Sequence, residues 1–139
     1  RGAESAGRSL DGFKVSIKPL IATAPDARAL EPKIRDARAR VAFYASTPAY
    51  RAAFEFHGLG ELADRLAVLS KAQRWEEMPG HISDEVLEKY AVVGTFAEIG
   101  TKLKKRYAHV VTHAEFSIPI ANDQDLETLR GLIEDIHAA

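Results

Sequence analysis

The sequence contains no cysteine, and it has almost no excess of either charge. Without cysteine it can form no disulfide, no thiolate metal site and no cysteine nucleophile, which is compatible with a reducing cytosol. Its 19 basic and 20 acidic residues give a formal net charge of -1. Proteins that bind the phosphates of nucleic acids carry a marked basic excess, so we expect no nucleic-acid partner.

Long hydrophobic runs are also missing. No apolar run approaches the roughly 20 residues that a membrane-spanning helix requires, and the polar start, 1–5, has no apolar signal core. We therefore expect a cytoplasmic protein without a membrane partner. The chain begins without methionine on a polar segment that ends at Asp11 and Gly12, which resembles a cut through a loop. We expect a fragment of a longer protein.

Three segments have the pattern of β-strands. The first, Phe13–Thr23, combines alternation with a short apolar run, and Pro19 within it predicts a break or an edge. Ala91–Gly94 is apolar throughout, which is typical of a strand buried on both faces. A third strand lies within Val110–Ile118.

Helix signals fill the chain between the first two strands. Pro32 can occupy the first position of a helix, where its missing N–H costs nothing, and the apolar spacing carries that helix to about Ala45. Thr47 followed by Pro48 repeats the start signal, with the threonine as N-cap. Gly58 supplies a stop in the left-handed conformation. We predict a helix junction between these signals.

The second half of the chain carries further caps. Ser83 precedes a short helix, and Thr95 with Glu98 forms a capping box, in which the two side chains satisfy each other's free amides. Asn122 or Asp123 caps a last helix. Its predicted buried face comprises Leu126, Leu129, Leu132, Ile133 and Ile136.

The order of elements indicates the fold class. At 139 residues and 46% hydrophobic content, we expect a single domain, 1–139. A strand, a helical insert around 32–90, a strand, a helix, a strand and a helix predict an α/β fold. Strands that alternate with helices in this way are joined by right-handed crossovers and lie parallel. We therefore predict about three parallel strands.

The helix junction carries an unusual group of polar side chains. Hydroxyls and a cation clustered at one turn are compatible with a wall of a substrate pocket, in which the hydroxyls donate to a carbonyl or to an isoalloxazine-like ring and the arginine attracts an anion. The alternative is a packing and capping junction with half-buried tyrosines. The candidate substrate-binding residues are Tyr44, Ser46, Thr47, Tyr50, Arg51 and His57. For His57, the alternatives are a proton donor or a partner of helix-terminal carbonyls.

The other polar groups of the sequence are weaker candidates for a functional site. His109 and His113 would lie about 13 Å apart on a strand, which is too far for one ion, so we expect no metal site. The basic run 102–106 is typical of a solvated helix face, and Gly94 before Thr95 is a weak anion site without a glycine-rich loop. No triad of serine, histidine and aspartate stands out, so the sequence identifies no catalytic residue.

Several segments occur in an order that resembles the luciferase-like monooxygenase superfamily, and within it the branch that uses the deazaflavin coenzyme F-420. The segments that carry this resemblance are 42–51, 55–58, 75–78, 82–87 and 91–95. The chain is similar to about the C-terminal two fifths of a family member. Leu59 stands where the family often has tryptophan, and Pro32 interrupts what is usually an unbroken helix start.

The resemblance implies a fold and a chemistry. Family members are (β/α)8 barrels that transfer hydride to or from a flavin or deazaflavin, so this chain would supply barrel strands six to eight. Barrel active sites lie at the carboxyl ends of the strands. We therefore expect the end of the sixth strand to contact the cofactor, which is F-420 or, as the alternative, FMN. The expected cofactor-binding residues are Ile21, Ala22, Thr23 and Ala24.

The resemblance also leaves alternatives open. In the first, the chain is part of an oxidoreductase that binds a small-molecule substrate, and the chain is inactive by itself. The second is a structural or interaction module whose open strand edges associate with another copy, so we expect a homo-oligomer. The third is a short natural chain that works with a separate partner carrying the other strands.

Overall fold

The computed structural model describes residues 2–138 as a mixed α/β protein with short parallel strands. Two 3₁₀ turns, Pro48–Tyr50 and Met78–His81, interrupt the helical segment. The strands are β1 (Ser16–Ile17), β2 (Leu20–Ala24), β3 (Ala91–Thr95) and β4 (His113–Ala114). The helices are α1 (Gly2–Ser5), α2 (Ala27–Ser46), α3 (Arg51–Phe56), α4 (Gly60–Lys71), α5 (Asp84–Tyr90), α6 (Phe96–Tyr107) and α7 (Asp123–Ala138).

The four strands form two separate parallel pairs. β2 pairs with β3 over five residues, from Leu20 opposite Ala91 to Ala24 opposite Thr95. β1 pairs with β4, with Ser16 opposite His113. About three parallel strands were predicted, and the structure has four short ones in two separate pairs. β4 therefore lies beside β1, which is the first part of the predicted strand Phe13–Thr23, and not beside β3.

The first predicted strand is broken where proline predicted it. β1 ends at Ile17 and β2 begins at Leu20, because Pro19 has no N–H for a strand ladder. The predicted strand in Val110–Ile118 was too long. Only His113 and Ala114 pair there. Thr112 extends the contact through its amide and its hydroxyl, which both bond to Val15, and Glu115 extends it through one hydrogen bond to the carbonyl of Ile17.

The long helix α2 begins earlier than Pro32. Asp26 is its N-cap and accepts a hydrogen bond from the amide of Ala29, so the acidic cap outcompetes the proline signal. Pro32 lies inside the helix. Thr47 is not a side-chain cap for the next turn, since its hydroxyl bonds back to the carbonyl of Phe43 at 3.0 Å.

Other local predictions are confirmed. Gly58 has φ of 71° and ends α3, while the amide of Leu59 reaches the carbonyl of Phe54 at 2.9 Å. The hydroxyl of Ser83 caps α5. The capping box of Thr95 and Glu98 is present at the start of α6. Asn122 accepts the amide of Asp125 at the start of α7.

Two hydrophobic clusters cover the two faces of the β2–β3 pair. Ala22, Ala24 and Ala91 face the larger cluster, which comprises α2, α3, α4 and α5. Val92 and Ile21 face the smaller one, formed with α6 and α7. Successive strand residues point to opposite faces, so this pair is the middle layer of three.

The last helix buries less than its pattern predicted. Leu132 is buried, whereas Ile133 is exposed and the other apolar positions of its stripe are half-buried. Among the residues that the structure describes, no helix is long and apolar enough to cross a membrane.

The second edge of β3 is covered by side chains. Lys102 donates to the carbonyl of Val93 and Arg106 to that of Ala91, both at 2.9 Å. Carbonyls two residues apart point to the same side of a strand. Arg106 also donates to the carbonyls of Glu88 and Lys89, at the end of α5. Two cations of the basic run therefore bind backbone, which its interpretation as a solvated face did not predict.

Candidate functional site

A pocket of about 400 Å³ lies where the two strand pairs meet. It adjoins the carboxyl end of β1 and the amino ends of β2 and β3, and it is lined mainly by apolar and aromatic side chains. We call it the tyrosine pocket, because all four tyrosines of the chain line it. Its lining comprises Ile17, Lys18, Pro19, Leu20, Val41, Tyr44, Tyr50, Ala53, Phe54, Tyr90 and Tyr107.

The ends of several elements bring these tyrosines together. Tyr44 lies in the last turn of α2 and Tyr50 ends the 3₁₀ turn that follows. Tyr90 is the last residue of α5, immediately before β3, and Tyr107 is the last residue of α6. Concave sites of this size, apolar with a few polar groups, are the usual form of small-molecule sites.

The aromatic rings pack against one another in favourable geometries. Tyr44 and Tyr50 meet edge to face, with ring centroids 5.3 Å apart and planes at 74°. Phe54 stacks on Tyr90 at 4.4 Å. Both arrangements are ones that aromatic quadrupoles prefer, so the rings form a connected wall.

The tyrosine hydroxyls differ in their surroundings. The hydroxyl of Tyr90 is buried and has no hydrogen-bond partner among the described residues. Burial raises the pKa of Tyr90, since an apolar surrounding disfavours the phenolate. Tyr44 is 40% exposed and Tyr50 48%. Their hydroxyls make no hydrogen bond within residues 2–138, so both can bond to a ligand at the rim.

Of the predicted substrate-binding residues, the structure brings Tyr44 and Tyr50 to the tyrosine pocket. Ser46 is buried and donates to the carbonyl of Phe43 at 2.8 Å, as Thr47 also does. Both hydroxyls therefore serve the end of α2 and do not line the pocket. Their part in substrate binding stays a prediction.

Arg51 is held by carboxylates next to the pocket. Its guanidinium makes two hydrogen bonds to Asp64, at 2.8 and 2.9 Å, and one to Glu55 at 2.8 Å. The bond to Arg51 lowers the pKa of Asp64, and the same pairing raises the pKa of Arg51. Two-point binding of this kind has a preferred geometry, so an anionic ligand would compete with two carboxylates for the guanidinium.

His57 packs behind the pocket wall. Its ring meets Tyr90 at 5.7 Å with the planes at 88°, and its backbone amide bonds to the carbonyl of Phe54. No side-chain hydrogen bond to His57 is present among residues 2–138. His57 therefore supports Tyr90 by ring contact, and it does not line the pocket.

The expected cofactor-binding residues form β2. Ala22 and Ala24 are buried by the core, and the hydroxyl of Thr23 is buried without a partner. Thr23 lies three residues beyond Leu20, about 10 Å along the strand. Of the four residues, none lines the tyrosine pocket, which β2 enters through Leu20. Their contact with a cofactor stays a prediction.

Sequence reasoning missed several pocket residues. The sequence pattern placed Leu20 in a strand and gave Tyr90 and Tyr107 no role in a site. The available signal was the scarcity of tyrosine, since each of the four lies in the last turn of a helical element. This pattern locates the tyrosines along the sequence, but it does not show that their side chains lie close together in space.

Residues 2–138 contain no group of three or more histidine, cysteine, aspartate or glutamate side chains that could hold a metal ion. His113 lies on β4, with its ring beside the hydroxyl of Thr112 at 2.8 Å, and His109 lies in the turn before that strand.

Comparisons with known proteins give a consistent result. The sequence model described as luciferase-like monooxygenase matches residues 1–113. The uncharacterized protein Rv1360 of Mycobacterium tuberculosis (strain ATCC 25618 / H37Rv) is 38% identical over 135 residues, which are 97% of this chain and 39% of the relative. The uncharacterized protein Mb1395 of Mycobacterium bovis has the same identity and coverage. The chain therefore spans about two fifths of the length of these relatives.

Proposed function

The chain belongs to the luciferase-like monooxygenase family, and from this premise we propose that it is part of an oxidoreductase that transfers hydride with coenzyme F-420. FMN is the alternative cofactor. We further propose that its parallel strands belong to a (β/α)8 barrel completed by residues outside this chain. The match of the family over residues 1–113 carries the proposal.

The tyrosine pocket is the proposed substrate site. The pocket adjoins the amino ends of β2 and β3, so the proposal rests on its concave, mainly apolar lining with a few polar groups and not on the direction of the strands. Tyr44 and Tyr50 provide free hydroxyls at its rim. These groups orient a substrate by hydrogen bonds, while the stacked rings of Phe54 and Tyr90 exclude water from the apolar wall.

The cofactor would meet this chain along β2. The buried hydroxyl of Thr23 has no partner within the described residues, and β2 pairs there with β3 alone, so its other edge offers backbone groups. A free hydroxyl and free backbone groups are both suited to hydrogen bonds with the polar edge of the cofactor's ring system. When bound, the deazaflavin or flavin supplies the hydride chemistry. The backbone from Ile21 to Ala24 would position it, and the pocket residues would position the substrate.

A titration tests this proposal. We expect this chain alone to bind neither F-420 nor FMN at micromolar concentrations, measured by the fluorescence of the oxidised cofactors, because one strand edge is a small part of a cofactor site. Rv1360 at full length is the matched sample, and we expect it to bind F-420. Micromolar binding by this chain alone would refute its dependence on further residues. FMN binding without F-420 binding would select the alternative.

A second candidate function is a self-associating module. Exposed apolar side chains near β1 and β4 favour it, since Phe13 is 64% exposed, Val15 38% and Val110 56%. Where such side chains form a contiguous apolar patch, they favour association. Light scattering coupled to size-exclusion chromatography tests the proposed homo-oligomer, and a monomer at high concentration would rule it out.

A further inference from the structure

We infer that the tyrosine pocket binds an uncharged ring compound that carries a single hydroxyl or carbonyl group. The inference deepens the proposed function, because it names the substrate class of the same pocket. It rests on which side chains line the cavity, which of them have unused hydrogen-bonding groups, and how its cationic side chain is paired.

The body of the cavity is apolar. Leu20, Val41 and Phe54 are among its walls, and Val41 and Phe54 are at most 3% exposed. Tyr90 contributes a ring stacked on Phe54 at 4.4 Å. Aromatic walls of this kind favour stacked or edge-on rings in a ligand. A volume of about 400 Å³ accommodates a bicyclic ring compound with a substituent.

The most exposed of the pocket's free hydroxyl groups belong to Tyr44 and Tyr50. The hydroxyls of Tyr44 and Tyr50 are at the exposed side, and neither makes a hydrogen bond within residues 2–138. A hydroxyl both donates and accepts, so this rim suits a ligand hydroxyl or carbonyl. The buried hydroxyl of Tyr90 is enclosed by the wall and is not part of the rim.

The pocket offers no unpaired charge. Lys18 is the sole ionic residue among its lining residues, and its Nζ lies 2.5 Å from Oε1 of Glu115. Both side chains of this ion pair are largely exposed, so the pair is weak, and the main cost to a carboxylate ligand is its transfer from water into an apolar cavity. Burying a charge without a partner is strongly unfavourable. The pocket therefore selects against anions.

Two bicyclic probes of similar shape test the inference. The chain, with ¹³C-labelled tyrosine rings, is titrated with 2-acetylnaphthalene and with 2-naphthoate, and the ring signals of its four tyrosines are followed by NMR. We expect the neutral ketone to bind at least about tenfold more tightly than the carboxylate. Equal affinity, or tighter binding of 2-naphthoate, would overturn the preference for an uncharged ligand.

Two variants locate the binding. Ala53 lines the pocket and Ala52, its neighbour on α3, does not; both are exposed. Ala53→Phe fills the cavity and should weaken the binding of 2-acetylnaphthalene by about tenfold or more. Ala52→Phe should leave the affinity for this compound within about twofold of that of the unaltered chain. Equal effects, or no binding by the unaltered chain, would refute the tyrosine pocket as a ligand site.

A third variant tests the rim. The double change Tyr44→Phe with Tyr50→Phe keeps both aromatic rings and removes their hydroxyls. It should remove most of the preference for 2-acetylnaphthalene over 2-ethylnaphthalene, which lacks the carbonyl. An unchanged preference would refute the hydroxyl contacts. These measurements use no cofactor. Their failure would leave the cofactor titration unaffected, and a failed cofactor titration would leave the pocket's binding data intact.

Discussion

At the scale of single residues, Tyr90 links the pocket to the core. Its ring stacks on Phe54 and meets His57, while its hydroxyl is buried without a partner. An unsatisfied buried polar group costs free energy that its removal regains. The ring therefore stabilises this part of the fold, and the hydroxyl does not.

Replacing Tyr90 with phenylalanine should consequently stabilise the protein. Tyr90→Phe keeps the stacked ring and removes the unpaired hydroxyl, so we expect the free energy of unfolding in urea to rise by about 1 kcal/mol. Tyr50→Phe, which removes an exposed hydroxyl, is the control and should change it by less than about 0.5 kcal/mol. A loss of stability in Tyr90→Phe would mean that the hydroxyl has a partner, such as an enclosed water.

Asp64 should make stability depend on pH through Arg51. The hydrogen bond from Arg51 lowers the pKa of Asp64 below its ordinary value of 3.8. A carboxyl with a depressed pKa in the folded state stabilises it above the unfolded pKa, and this contribution is lost as the pH falls through the folded pKa. Asp64→Asn should therefore flatten the acid limb of the stability profile, measured by urea unfolding at a series of pH values.

Arg51→Gln is the second arm of that experiment. It should bring the pKa of Asp64 back toward its ordinary value, which is measurable by NMR titration of the carboxyl. If the pKa of Asp64 is the same in the Arg51→Gln variant, the ion pair does not cause its depression.

At the scale of elements, the turn between α3 and α4 sets the position of the pocket wall. Gly58 has φ of 71°, and no atom lies within 4 Å of the place where a Cβ would stand. The need for glycine there is therefore conformational. It lets α3 end and lets α4 return along α2 within the larger hydrophobic cluster.

A matched pair of glycine variants tests this turn. Gly58→Ala forces a side chain into the left-handed region and should lower the free energy of unfolding by about 1 kcal/mol. Gly80→Ala also meets no atom within 4 Å and has no positive φ, so it should be nearly neutral. Equal effects in thermal or urea unfolding would show that the strain at Gly58 is not the cause.

At the scale of the whole molecule, the chain protects one strand edge itself. Lys102 and Arg106 satisfy the outward carbonyls of β3, as the amides of another strand would. Open edges promote association between chains. The proposed homo-oligomer is therefore better supported at the exposed apolar residues near β1 and β4 than at β3.

Removing the arginine should open that edge. Arg106→Ala frees the carbonyls of Ala91, Glu88 and Lys89, and we expect a larger associated fraction by light scattering. Lys105→Ala removes an equal charge from the same helix and the same groove, and the side chain of Lys105 has no hydrogen bond to the backbone among the described residues, so this variant is the control. Equal association of both variants would assign the effect to charge.

Most of the local structure could be predicted from the amino-acid sequence. The caps at Ser83, Thr95 and Asn122, the stop at Gly58 and the break at Pro19 were predicted correctly, because each depends on hydrogen bonds or dihedral angles within a few residues. Family membership was also predicted from the order of segments, and the match over 1–113 bears it out.

Tertiary structure alone decided which elements meet. Strand pairing depends on contacts distant along the chain, so the partnership of β1 with β4, ninety-seven positions apart at Ser16 and His113, left no local signal. The gathering of four tyrosines around one pocket arose in the same way. A sequence records what each side chain can do, whereas the packing of helices and strands fixes which side chains lie close enough to act together.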